Sequence, residues 1–405
     1  MDAPGNISWA ITATALVLLM TPGVAFFYGG LVKAKSVVSM MMMSFGSIGL
    51  VAVLWIVYGY GMAFGTPLIP HWLGNPFSEL GLDNLTGGSG NPDVYKLAFA
   101  GFEATFAIVT VALISGAIAD RARFGSWMVF AAVWVTTVYF PVAYWVFNLR
   151  DGWASELLHV NDFAGGSAVE INAGAAGLAL ALVLGKRVGF RKGFDKPHNV
   201  PLTLLGAALL WFGWFAFNAG SAGAVNGVAA LAWINTLAAP ATATLGWLLV
   251  ERIKDAKPTS VGAASGAVSG LVAVSPACNI LTPGWALLLG LLAGVTCALA
   301  VDLKFKLGFD DSLDVVGIHL VGGLVGMLFV GVFGTGIGLI ATGNLHQLGA
   351  QAITAFGVLV YSFGGAWIIG TVIEKTIGFR ITNEDELAGI DTVMHGEEGY
   401  ALETV

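Results

Sequence analysis

Charged residues are scarce in this chain. Its 405 residues include 18 Lys and Arg and 25 Asp and Glu, 11% of the whole, where a soluble globular protein carries about 25%. So thin a set cannot cover the surface of a water-soluble fold of this length. Cysteine is scarcer still: Cys278 and Cys297 are too few for a disulfide framework or a cysteine-based metal centre. A formal net charge of −7 argues against a nucleic-acid surface, which would be basic. No nucleophile–base pair or phosphate-binding loop is present, so an enzyme is not expected.

Apolar residues fill the space the charges leave. They make up 57% of the chain, alongside 56 glycines. Apolar runs exceed the roughly 20 residues needed to cross a hydrocarbon core about 30 Å thick. Glycine at this frequency suits helices that pack closely in lipid. The runs are too long for barrel strands, whose signature is alternation over about 10 residues. The expected fold is therefore all-α and polytopic, in a cell membrane.

Eleven spans are expected, at 8–32, 39–64, 94–119, 124–147, 163–185, 200–220, 226–250, 259–275, 283–303, 313–333 and 348–374. Met1–Ser8 has no basic region, so the first run is expected to be a span and not a cleaved leader. All Lys and Arg except Lys96 and Arg150 fall in alternate connections or the tail. Cytoplasmic loops collect positive charge, which puts the N-terminus outside and the C-terminus inside. The expected division is an eleven-helix domain over 1–380 and an acidic cytoplasmic tail over 381–405. The longer outer connections carry Glu79, Asp83, Asp93, Asp151 and Glu156, a charge that favours cations at an entrance.

Spans five and ten match each other. Asp162 is followed eight positions later by Glu170, and Asp311 eight positions later by His319. Small residues then coincide, Ala173, Gly174 and Gly177 against Gly322, Gly323 and Gly326. The two spans start on opposite sides, so the match implies inverted repeats, the first ten spans forming two sets of five. Eight residues of α-helix rise about 12 Å, which brings Glu170 and His319 to similar depth near the midplane. An ionisable group there is costly and marks a pathway or a locking hydrogen bond between helices. One Glu and one His leave too few ligands for a metal. Asp162 followed by Phe-Ala-Gly-Gly reads as a helix N-cap, and also as an acid whose field reaches the outer entrance.

Aromatic residues gather in the outer halves of three spans. Phe102 and Phe106 share a helix face; Trp211 to Phe217 closes span six; Tyr144 to Phe147 closes span four. Most of these could belong to an interfacial belt, the expected place for Trp145 and Trp211. Several faces with Ser221 could instead cage a small cation through contacts worth about 0.5–2 kcal/mol each. Glu103, an acid within span three, is expected to reach water from that vestibule.

These segments resemble the Amt/Mep/Rh ammonium transporters, on the Amt side. The resemblance rests on Asp162-Phe163-Ala164-Gly165-Gly166, Phe26-Phe27-Tyr28-Gly29-Gly30, Gly213 to Gly223, Asp314 to His319, and the tail's Gly389-Ile390-Asp391 and His395-Gly396-Glu397. It implies that Phe102, Phe147 and Ser221 border an ammonium recruitment site with Asp162 beneath. It further implies a gate of Phe106 and Phe217, and a pore or proton-relay pair of Glu170 and His319. Glu170 stands where the family's first pore histidine is, as in some fungal members, and Phe147 stands for the recruitment-site tryptophan. The resemblance implies a homotrimer, a PII-type regulatory partner at the cytoplasmic face, and no cofactor. An ammonium sensor with little flux and an Rh-like neutral gas channel are the alternatives.

Overall fold

In the computed structural model the described residues are 3–87, 92–190 and 196–400. The apolar runs all become helix, because only internal hydrogen bonding satisfies a backbone that has no water to turn to. The helices are α1 Pro4–Leu31, α2 Ala34–Phe64, α3 Val94–Ile118, α4 Phe124–Phe147, α5 Gly166–Leu184, α6 Val200–Gly220, α7 Gly227–Lys254, α8 Ser260–Val274, α9 Pro283–Leu307, α10 Val316–Phe333 and α11 His346–Thr376. Ten are long and apolar enough to cross a membrane; α8, at 15 residues, is shorter than the span expected at 259–275. Pro276 explains where it stops. It has no N–H to continue the ladder, and its carbonyl instead accepts from Phe163 N at 3.4 Å.

Loops gather on two faces. One carries a small hairpin, Pro67–Ile69 against Leu73–Gly74. There Trp153 N donates to His71 O at 3.1 Å and Thr335 N to Ile280 O at 3.2 Å. The opposite face carries the tail helices α12 Asn383–Ala388 and α13 Ile390–His395. The tail is tied to the body there. Asp391 accepts from Val38 N at 2.9 Å and Ser39 N at 2.8 Å, while Glu386 accepts from Val188 N at 2.7 Å and Arg380 at 2.9 Å. Of the expected tail, 401–405 lie outside the described residues, as do Arg191 and Lys192 of the basic connection.

α3 and α5 are the most buried helices and α11 among the most exposed. Exposed Leu245 and Leu249 on α7 and Phe356 and Val360 on α11 present apolar faces outward, as lipid requires. At the centre α5 crosses α10 with their backbones nearly touching. A Cβ on Gly174 would lie 2.5 Å from Leu320 N, and one on Gly323 would lie 2.9 Å from Gly166 O. Gly174→Val is therefore expected to cost about 1–3 kcal/mol through overpacking, read as a lowered thermal midpoint in detergent.

Candidate ammonium pathway

Both central helices begin in the same unusual way. α5 opens with a π-helical stretch over Gly166–Ile171 and α10 with one over Val316–Leu320. Such stretches are rare and recur at functional sites. They replace the plain α-helical rise that the sequence implied. Each follows an acid that precedes the helix. Asp162 Oδ1 accepts from Gly166 N at 2.5 Å, and Oδ2 accepts from Ser167 N at 2.7 Å, Ala168 N at 3.2 Å and Ser167 Oγ at 2.5 Å. Gly165 makes the turn with φ at 91°, which a side chain would resist. Asp311 accepts from Val316 N at 2.7 Å. The N-cap reading of Asp162 is thus what its geometry displays, and its lone pairs are largely committed to the helix.

The π-helical turns aim Glu170 and His319 at each other. Glu170 Oε2 lies 2.7 Å from His319 Nδ1, with the two side chains 0% and 4% exposed. Glu170 Oε1 has no hydrogen-bond partner in its buried position. A contact of 2.7 Å is a short hydrogen bond, and the free oxygen keeps its acceptor capacity.

The sequence-selected aromatics converge at the head of α5. Phe106 and Phe217 stack with centroids 4.0 Å apart and planes at 11°. Phe102 lies 4.9 Å from Phe106, and Phe147 meets Phe106 edge-on at 6.1 Å. A Cβ on Gly165 would sit 3.4 Å from the Phe147 ring, so this ring covers the Asp162 turn. Ser221 Oγ donates to Phe217 O at 2.8 Å, which leaves its oxygen lone pairs free to accept. The stack itself is closed, with Phe106 1% and Phe217 0% exposed.

Other expectations are corrected. Trp145 is not an interfacial anchor: it is buried, packed edge-on against Trp72 at 5.6 Å, with Nε1 donating to Trp72 O at 2.8 Å. Phe212 points outward, away from the cage. Glu103 is largely buried, at 7% exposure, and its Oε2 has no partner. The loop acids are partly spent on local bonds. Asp93 pairs with Lys96 at 3.0 Å, and Asp151 and Glu156 each lie 3.6 Å from His71. Glu79 and Asp151 line a cavity of about 480 Å³ on the hairpin face, where Lys96 and Arg150 balance them and Phe99 and Phe147 supply apolar walls.

Two groups of residues escaped the sequence reading. On the tail face, fully buried Arg121 donates to Asp310 O at 2.6 Å and Ser312 Oγ at 2.5 Å, while Arg187 pairs with Asp310 at 3.0 Å and Asp120 at 2.9 Å. Burial works against the Asp310 carboxylate, yet the Arg187 guanidinium and its hydrogen bonds hold its pKa below the ordinary value. On the hairpin face, Asn161, Asn279 and Gln351 form an uncharged network. The signal available in the sequence was position: Asn161 and Asp310 immediately precede the matched acids.

A family model described as "Ammonium Transporter Family" matches residues 8–400. The chain belongs to the ammonium transporter family. An "Ammonium transporter" of Mycobacterium bovis is 51% identical to it, over 98% of this chain and 90% of that protein. The crystal structure of Saccharomyces cerevisiae Mep2 superposes with a TM-score of 0.86 at 32% identity, covering 99% of this chain and 92% of the other. A structure described as "Sensor Amt Protein" superposes with a TM-score of 0.90 at 27% identity, covering 96% and 98%. Family membership accounts for the polytopic helical fold and for the absence of an enzyme-like centre in the sequence.

Proposed function

We propose that this protein takes up ammonium across a cell membrane, with its N-terminus outside and its C-terminus in the cytoplasm. In this reading it has eleven spans, α1 to α11, whose first ten form two inverted sets of five. The matched positions 162 and 311, 170 and 319, and 174 and 323 support the repeat, since each pair plays one local part. Residues 1–380 form the transporting domain and 381–405 the cytoplasmic tail. The protein acts as a homotrimer, and a PII-type regulatory protein docks on the tail face.

The observation that carries the reading is the series at α5: a cage, a closed ring pair, then a buried acid–imidazole contact. Phe102, Phe147 and Ser221 recruit ammonium, through π faces and a hydroxyl oxygen that accepts an N–H. Asp162 adds a field without touching the ion, its oxygens being occupied by the helix. The ion loses its proton there, because a bare charge in a narrow apolar passage is costly. Ammonia then passes Phe106 and Phe217 when their rings part. Glu170 and His319, joined at 2.7 Å, hold or relay the proton separately. Glu170 thus does the work that a second imidazole does elsewhere in the family.

Ammonium uptake by a transporter-null host tests the proposal: rescue of growth at micromolar ammonium is expected, and binding without flux would favour a sensor. The 51% identity to a transporter, against 27% to the sensor, favours flux. A gain of affinity is also expected at the cage. Phe147→Trp supplies a stronger cation–π face, and a contribution of about 0.5–1 kcal/mol should lower the half-saturating concentration about two- to fivefold. Uptake titrated against ammonium concentration reads this directly.

A further inference from the structure

The residue before each capping acid is held by a clamp, and the two clamps differ in charge. On the tail face Asp310 is gripped by two guanidiniums, Arg121 on its carbonyl and Arg187 on its carboxylate. On the hairpin face Asn161 is gripped by neutral amides alone. Gln351 of α11, 0% exposed, reads the Asn161 backbone on both sides. Its Oε1 accepts from Asn161 N at 2.9 Å and its Nε2 donates to Asn161 O at 2.9 Å. The Asn161 side chain donates to Asn279 Oδ1 at 3.2 Å and to Pro276 O at 2.8 Å, and Asn279 Nδ2 donates back at 2.9 Å.

The grip continues through the acid itself. Phe163 N donates to Pro276 O at 3.4 Å and Ala164 N to Ser275 O at 3.1 Å. Ser275 Oγ in turn accepts from Trp214 Nε1 at 2.8 Å, and Trp214 packs 5.5 Å from Phe217. Hydrogen bonds therefore run from α11, through the turn carrying Asp162, to Trp214, and ring packing carries the contact on to Phe217. Fully satisfied buried networks of this kind rigidify what they hold.

We infer that Gln351 and Asn279 are positioning residues for Asp162. They set the height of its carboxylate beneath the cage by fixing the residue before it, and they do so with amides because a fixed cation directly beside the Asp162 turn would repel the arriving one. This deepens the proposed uptake function and rests on it. The tail face has no cation to admit, so arginines can serve the same part there.

The test is a double-mutant cycle on the full chain in proteoliposomes, reading ammonium-driven flux. Gln351→Leu is expected to lower the ratio of maximal rate to half-saturating concentration about tenfold in the native background. In an Asp162→Asn background it should change that ratio less than twofold, because the group it positions has lost its charge. Equal losses in both backgrounds, or no loss in the first, overturn the inference. If Gln351→Leu does not assemble, Gln351→Glu is read in the same cycle under the same criteria. It keeps the acceptor for Asn161 N and loses the donor to Asn161 O. Gln351→Lys should lose more flux than Gln351→Leu; equal losses overturn the argument from charge. Native protein that carries no ammonium would sink the uptake reading itself. The clamp is then decided by the same cycle on thermal midpoints, where additive shifts overturn it.

Discussion

Replacing Glu170 and His319 together by Leu is expected to abolish ammonium-dependent current while the protein still assembles. One 2.7 Å contact joins the two groups in a site with almost no exposure, and Glu170 Oε1 has no partner there. Removing both leaves no orphaned partner, and replacing a bonded pair by apolar groups is often nearly neutral. The close approach of α5 and α10 lies at Gly174 against Leu320 and at Gly323 against Gly166 O, Ile171 and the Cβ of Glu170, a carbon that Leu retains. Glu170→Leu alone is expected to be less stable than the double variant, because it leaves a buried imidazole nitrogen unpaired at about 1–3 kcal/mol. Currents evoked by ammonium pulses on a solid-supported membrane, with thermal midpoints, check both statements. Undiminished current in the double variant would remove the proton relay from the mechanism.

Asp162→Ala is expected to be as severe, for two separable reasons. Four hydrogen bonds converge on this carboxylate. Their loss strands the first N–H groups of α5, and caps of this kind contribute about 0.5–2 kcal/mol. The variant also removes a carboxylate beneath the proposed cage. Asp162→Asn separates the two effects, since an amide retains one acceptor oxygen but carries no charge. We expect Asp162→Ala to lose both stability and transport, and Asp162→Asn to lose at least about a hundredfold in ammonium flux with a smaller loss of stability. A neutral-gas channel would not register the missing charge, so unimpaired flux in Asp162→Asn would favour the Rh-like alternative.

These effects trace back to features of different legibility. Helix positions were readable because a lipid-spanning segment must be long and apolar, whatever it packs against. α8, at Ser260–Val274, also lies within one residue of its expected bounds at each end, and it stops before Pro276, whose carbonyl accepts from Phe163 N, 113 residues away in the chain. The pairing of Glu170 with His319 was readable too. Two helices of opposite direction, each with one ionisable group at the same distance from a capping acid, bring those groups to one depth.

Side-chain direction was not readable. Trp145 and Phe212 occupy similar apolar surroundings in sequence, but one packs between loop tryptophans and the other faces outward. Glu103 sits beside Phe102 in the chain yet ends buried with an unpaired oxygen. The amide clamp was invisible for a related reason: Asn161, Asn279 and Gln351 are distant in the chain, and nothing in their identities announces that their polar groups meet.

Sequence alone determined the class of solvent, the approximate place of the apolar helices, and the two groups that meet in the middle. Solvent and backbone chemistry leave a chain of this composition no other way to satisfy its peptide groups. Tertiary structure decided which aromatics gather around Phe106, which acids are spent on local bonds, and how the Asp162 turn is held. Those outcomes depend on packing between segments far apart in the chain, where a rotation of one helix face exchanges a buried partner for lipid.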